Sequence, residues 1–138
     1  MTPAGVGVTE KLNVHFPVNR RRSGDMNETM KTLLTRRSIR KFKAGQVAEE
    51  ELNAVREAGK FAPSGANAQS ALFVVVQDRE AKKKHSAMNA AVLKKEMDPY
   101  FGAPTIILVL ADKTKPTPVE DASLALGNMM NAAAPSEK

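Results

Sequence analysis

Apolar residues recur with a helical period at Met26, Met30, Leu33 and Leu34, predicting a first helix from near Asp25 to near Arg36. Asp25 and Glu28 make an Asp-x-x-Glu pair, each side chain able to satisfy a free backbone N–H, so the helix is expected to begin at Asp25. A second stripe, Leu52, Val55, Ala58 and Phe61 or Ala62, predicts a helix over roughly residues 48 to 61. Glu49, Glu50 and Glu51 favour its positive N-terminal end. Ala48 stands where Ser or Thr would cap better, a difference of about 1 kcal/mol. Pro63 helps to end this helix, and Gly65 permits a sharp turn.

The pattern then changes to continuous apolar runs. Leu72-Phe73-Val74-Val75-Val76 predicts a strand buried on both faces, and Thr105 to Ala111 predicts a second buried strand. Between them, residues 79 to 97 read as a basic, mostly exposed helix anchored by Met88, Val92 and Leu93. A last helix has a clear start, with Thr117 as cap, Pro118 at the first helical position and Glu120 completing the box. From Ala122 to Ala134 it is almost entirely small or apolar, so burial all round is expected, with another subunit as the natural cover. Two helices, a strand, a helix, a strand and a helix make an α/β or α+β layered protein. Residues 1 to about 25 hold no sustained period and are expected to be a flexible extension; Leu12, Val14, Phe16 and Val18 alternate as a short strand would.

Composition narrows the chemistry. A chain of 138 residues fits one domain with one core. It has no cysteine, which excludes disulfides, thiolate metal sites and cysteine nucleophiles. With His15 and His85 as the sole histidines, no metal site is expected. The net charge of +6 could attract nucleic acid, anionic lipid or an anionic cofactor. The charge is dispersed and lacks interleaved aromatics, so nucleic acid is not the expected partner. No apolar run approaches a membrane span or the core of a signal peptide, and Ser23-Gly24-Asp25 follows Arg20-Arg21-Arg22 where an export signal would be apolar. The chain reads as cytoplasmic, without a membrane partner.

Two segments carry candidate chemistry. Arg36-Arg37-Ser38-Ile39-Arg40 gathers three guanidiniums and a hydroxyl that could surround a phosphate, with Ile39 turned inward as an anchor. The alternative is that these cations simply offset the negative end of the preceding helix. Pro63-Ser64-Gly65-Ala66-Asn67-Ala68-Gln69 is a polar loop whose Asn67 and Gln69 amides each offer a donor and an acceptor. Ser64 and Gly65 would allow close backbone approach to a flat ring. The alternative is a loop bonded to its own backbone. His85 reads as a surface residue, Asp98 and Asp112 as isolated carboxylates, Met129-Met130 as packing, and Lys82-Lys83-Lys84 with Lys94-Lys95 as a solvated face.

In their order and spacing the two segments resemble the flavin-binding half of the nitroreductase family. The resemblance runs from about Asn27 to Ala133, and Asp121 to Ala133 looks like that family's central dimer-interface helix. It implies an α+β fold with a central sheet flanked by helices, in a partial domain over residues 26–138. It implies FMN, with Arg36, Arg37, Ser38 and Arg40 at its phosphate and ribityl end. Pro63, Ser64, Gly65, Asn67 and Gln69 would approach the isoalloxazine, commonly from the other subunit. The implied reaction is hydride transfer from NAD(P)H through flavin to a nitroaromatic, quinone or similar small acceptor, with no catalytic side chain named, in a homodimer. The sequence departs from the family pattern at Ser70-Ala71, where Pro-Trp is usual, and after Ala133, where further strands usually follow. A C-terminally truncated relative is therefore expected, and a non-catalytic dimerisation or interaction module is the alternative function.

Overall fold

The computed structural model describes residues 27–134. The extension expected over residues 1 to 25, with His15, Arg20 to Arg22 and Asp25, lies outside the described residues, as does Met26 of the first stripe. Helix α1 spans Glu28–Thr35 and α2 spans Glu49–Lys60. A short 3-10 turn, Gly65–Asn67, leads into strand β1, Ala71–Val76. Helix α3, Arg79–Leu93, crosses over to strand β2, Ile106–Ala111, and α4 spans Pro118–Ala132. The strands pair antiparallel, from Ala71 opposite Ala111 to Val76 opposite Ile106. Helices against a small antiparallel sheet make this an α+β arrangement.

Several local starts and stops differ from expectation. The cap of α1 is Asn27, whose Oδ1 accepts from Met30 N at 2.9 Å. A capping side-chain oxygen accepts from the N–H three residues further on, and Asn27 stands at that distance from Met30. Ala48 precedes α2 without a side-chain cap, as expected. Helix α3 stops at Leu93, short of residue 97, because Lys94 turns left-handed at φ 52° and Lys95 N bonds back to Ala90 O. Thr117 sits at the start of α4 but makes no cap bond; its hydroxyl donates instead to Asp121 Oδ1 at 2.8 Å, and Glu120 completes no box.

The core lies where α2 and α4 cross and α4 covers the sheet. Leu52, Val76, Ile106, Ala125 and Met129 are buried there. The helices come close because Gly59 has no side chain: a Cβ would overlap Met129 and stand 3.1 Å from Phe73 Cζ. Asn128 Nδ2 fastens the crossing by donating to Ala58 O at 3.1 Å.

Burial is less complete than the apolar runs predict. β1 is not covered on both faces: Leu72 is 60% exposed and Val74 is also exposed, since two strands cannot be sandwiched by one helical layer. Nor is α4 buried all round within one chain; Asp121, Ala125 and Met129 are inside, whereas Leu124, Leu126 and Met130 are exposed. Met88, Val92 and Leu93 do not anchor α3, and Phe61 is 79% exposed, leaving Ala62 as the half-buried member of the α2 stripe. No residue of α1 is buried. Among the described residues, no helix is long and apolar enough to cross a membrane and no acid or histidine cluster could hold a metal.

Candidate functional site

The basic segment begins where α1 ends. Arg36 leaves the helix at φ −52° and ψ 134°, and the chain runs on without regular structure towards α2. Arg37 turns back over the helix end, its Nη1 donating to Leu34 O at 2.8 Å and Arg36 O at 2.9 Å. This guanidinium thus satisfies carbonyls that the helix leaves unpaired. The guanidiniums of Arg36 and Arg40 have no hydrogen-bond or carboxylate partner among the described residues. Arg40 lies 5.7 Å from the centre of the Phe101 ring, within cation–π range.

Ser38, Ile39 and Arg40 line a cavity of about 350 Å³, walled on the other side by Tyr100, Phe101 and Ile106. Ile39 does not turn inward as an anchor: it is 55% exposed and forms part of this open wall. Phe101 is presented by a tight loop built around Asp98. The carboxylate accepts from Tyr100 N at 3.0 Å, Gly102 N at 2.7 Å and Ser86 Oγ at 2.6 Å. The Ser86 hydroxyl first, with these amides, holds the Asp98 carboxyl below its ordinary value. Phe101 adopts φ 53° and Gly102 φ 70°.

The second segment is held from below by α4. Asp121 falls on the buried stripe of that helix with Ala125 and Met129, four residues apart. Its Oδ1 accepts from Gly65 N at 3.0 Å and Thr117 Oγ1 at 2.8 Å. Its Oδ2 accepts from Ser64 Oγ at 2.7 Å and Ser70 Oγ at 2.8 Å. Ser64 Oγ in turn accepts from Gln69 N at 2.7 Å. These donors, Gly65 N–H foremost and the Ser64 hydroxyl next, hold the carboxyl well below the usual carboxylate range, outweighing the desolvation that pushes it up.

The loop so held is strained. Ala66, Asn67 and Gln69 adopt φ values of 51°, 54° and 48°, a left-handed conformation that costs Ala66 and Gln69 about 1–2 kcal/mol each and Asn67 less. Gly65 itself is not left-handed; it is needed because a Cβ there would overlap Thr117. Asn67 and Gln69 are exposed at the loop's outer side, with Gln69 Nε2 donating to Asn67 Oδ1 at 3.4 Å. Pro63 is exposed beside them.

The structure does not bring the two segments together within one chain. None of residues 63–69 lines the Arg40 cavity, and no hydrogen bond joins the segments among the described residues. Sequence reasoning missed Asp121. The signal was present: an acid in register with Ala125 and Met129 must find donors, and the nearby loop is rich in hydroxyls.

A sequence model described as the Nitroreductase family matches residues 33–136, and the chain belongs to that family. An Archaeoglobus fulgidus protein provisionally named NADH dehydrogenase/NAD(P)H nitroreductase is 38% identical over 113 residues, covering 78% of this chain and 62% of its own. A Bacillus subtilis FMN reductase (NAD(P)H) is 39% identical over 88 residues, covering 63% of this chain and 33% of its own. FMN-bound nitroreductases from Bacteroides fragilis and Desulfitobacterium hafniense superpose with TM-scores of 0.69, at 27% and 33% identity. Each match covers 78% of this chain and 65% of the other. The chain thus has the nitroreductase fold and spans less than two thirds of the length of these relatives.

Proposed function

We propose that this chain supplies the flavin-binding part of an FMN-dependent oxidoreductase that moves hydride from NAD(P)H to a nitroaromatic, quinone or similar acceptor. The observation that carries the reading is the pair of guanidiniums without carboxylate partners among the described residues, Arg36 and Arg40, in a segment whose Ser38 and Arg40 line an open cavity. Unpaired guanidiniums fit a phosphate monoester, which takes charge-assisted bidentate bonds. FMN, when bound, supplies the hydride chemistry. Arg36, Ser38 and Arg40 hold its phosphate and ribityl end, and Arg37 joins them through the nitrogens not committed to Leu34 O and Arg36 O. The Asn67 and Gln69 amides offer donors and acceptors to the ring edge, while Pro63, Ser64 and Gly65 shape the backbone that carries them. No side chain is assigned to the hydride step.

The two segments line no common cavity in one chain, so the reading includes a homodimer in which each copy contributes one of them to a site. Exposed Leu124, Leu126 and Met130 on α4 suit such an interface. NAD(P)H as co-substrate and a cysteine-free chain fit the cytoplasm.

The test is FMN titration of the full chain and of Arg36→Ala and Arg40→Ala. Each loss of charge-assisted bonds is expected to raise the Kd about tenfold or more. Unchanged affinity in both variants contradicts the phosphate assignment. The same exposed α4 surface favours a second reading, a non-catalytic dimerisation or interaction module, for which stable association without NAD(P)H turnover is the distinguishing result.

A further inference from the structure

Asp121 is used by nothing in the proposed chemistry, yet it is the most heavily bonded side chain in the described structure. It is 3% exposed and receives bonds from Ser64, Gly65, Ser70 and Thr117. Every partner donates to it, which suits an ionised, acceptor-only carboxylate; an amide would force a hydroxyl to turn and accept instead. The chain Gln69 N–H to Ser64 Oγ to Asp121 Oδ2 links a residue at the loop surface to the buried carboxylate, with 2.7 Å at each step. Three of the four residues from Ala66 to Gln69 are left-handed without being glycine. Such a conformation persists only where surrounding contacts over-determine it, and strain of this kind gathers where a loop must present groups to a ligand.

We propose that Asp121 is a positioning residue of the flavin site, clamping the Ser64–Ser70 loop to α4 so that the Asn67 and Gln69 amides are presented to the isoalloxazine edge. The inference rests on the FMN reading above. It assigns Ser64 and Gly65 to the loop's own support, since the Ser64 hydroxyl and the Gly65 N–H both point into the clamp. Ser70 gains a purpose as well. Where the resemblance leads one to expect Pro, a serine contributes a hydroxyl and a backbone N–H directed at Asp121.

The experiment compares wild type, Asp121→Asn and the milder Ser70→Ala, each as the full chain. Two readouts are taken: the Kd for FMN and the midpoint potential of FMN bound at saturation. Asp121→Asn is expected to weaken FMN binding about tenfold and to shift the midpoint potential, because the ring edge loses its ordered amides. Ser70→Ala, which removes one donor and leaves no buried charge unmet by others, is expected to shift both in the same direction by less. A structural role alone would lower the amount of folded protein and leave the potential of bound FMN where it was; that result overturns the proposal. Should Asp121→Asn fail to fold, Ser70→Ala decides by the same two readouts. Wild type that binds no FMN overturns the flavin reading and this inference with it; wild type that binds FMN with both variants unchanged overturns this inference alone.

Discussion

A carboxylate on the buried stripe of an apolar helix is tolerated only where donors meet it, and at Asp121 the hydroxyls of Ser64, Ser70 and Thr117 and the amide of Gly65 do so. The consequence is a pH dependence with a definite sign. Asp121 and Asp98 both titrate below their ordinary value in the folded chain, whereas unfolding returns them to about 3.9. Their contribution is therefore fully present above about pH 4 and is lost as pH falls through the depressed folded values. Asp98 and the similarly lowered Asp112 are exposed, and solvent screens them, so Asp121 carries most of the effect. Thermal melts are expected to show the wild type losing stability below about pH 4. Asp121→Asn, less stable at neutral pH, should show a flatter acid limb; equal slopes in the two proteins would contradict the clamp.

At the scale of elements, the helix starts divide into served and unserved. Asn27 and Asp78 cap α1 and α3 through their side chains, while Ala48 leaves the first turn of α2 without one. Ala48→Ser is expected to raise stability by about 1 kcal/mol in chemical denaturation, and no gain would mean that water already serves those amides. Ser is the better choice than Asp because Glu49, Glu50 and Glu51 follow directly. The periodic stripe of α2 and the apolar runs of both strands were legible in the sequence, because repeated burial leaves a repeated mark, whereas the buried stripe of α4 was hidden in a run that reads as apolar all round. Less legible were features set by single contacts. The left-handed stop at Lys94 carries no glycine to announce it. The cap at Asn27 lies two residues past Asp25, the acid that the Asp-x-x-Glu pattern singles out. Gly65 reads as a turn glycine, although its reason is the side chain of Thr117, 52 residues further on. In the candidate site, the basic segment and the amide loop were visible as residue types, whereas the carboxylate beneath the loop was hidden by its distance along the chain.

For the whole molecule, the remaining feature is apolar surface without cover. Met30, Leu33 and Leu34 on α1, Leu72 on β1 and Leu124, Leu126 and Met130 on α4 are all exposed in the single chain. Scattered exposed apolar residues are ordinary, but several on successive turns of one helix mark an interaction surface. If α4 is the seam of a homodimer, sedimentation should find dimer in the wild type and monomer in a Leu124→Lys, Met130→Lys variant. Monomer in the wild type would remove the pairing that lets two copies share a site. The basic segment and the clamped loop have one purpose in common if they hold a flavin. The most direct test is an absorbance scan of the purified full chain after saturation with FMN and removal of the excess. Retention of the flavin band in proportion to protein is the predicted result, and a colourless protein that retains none after saturation would contradict the account.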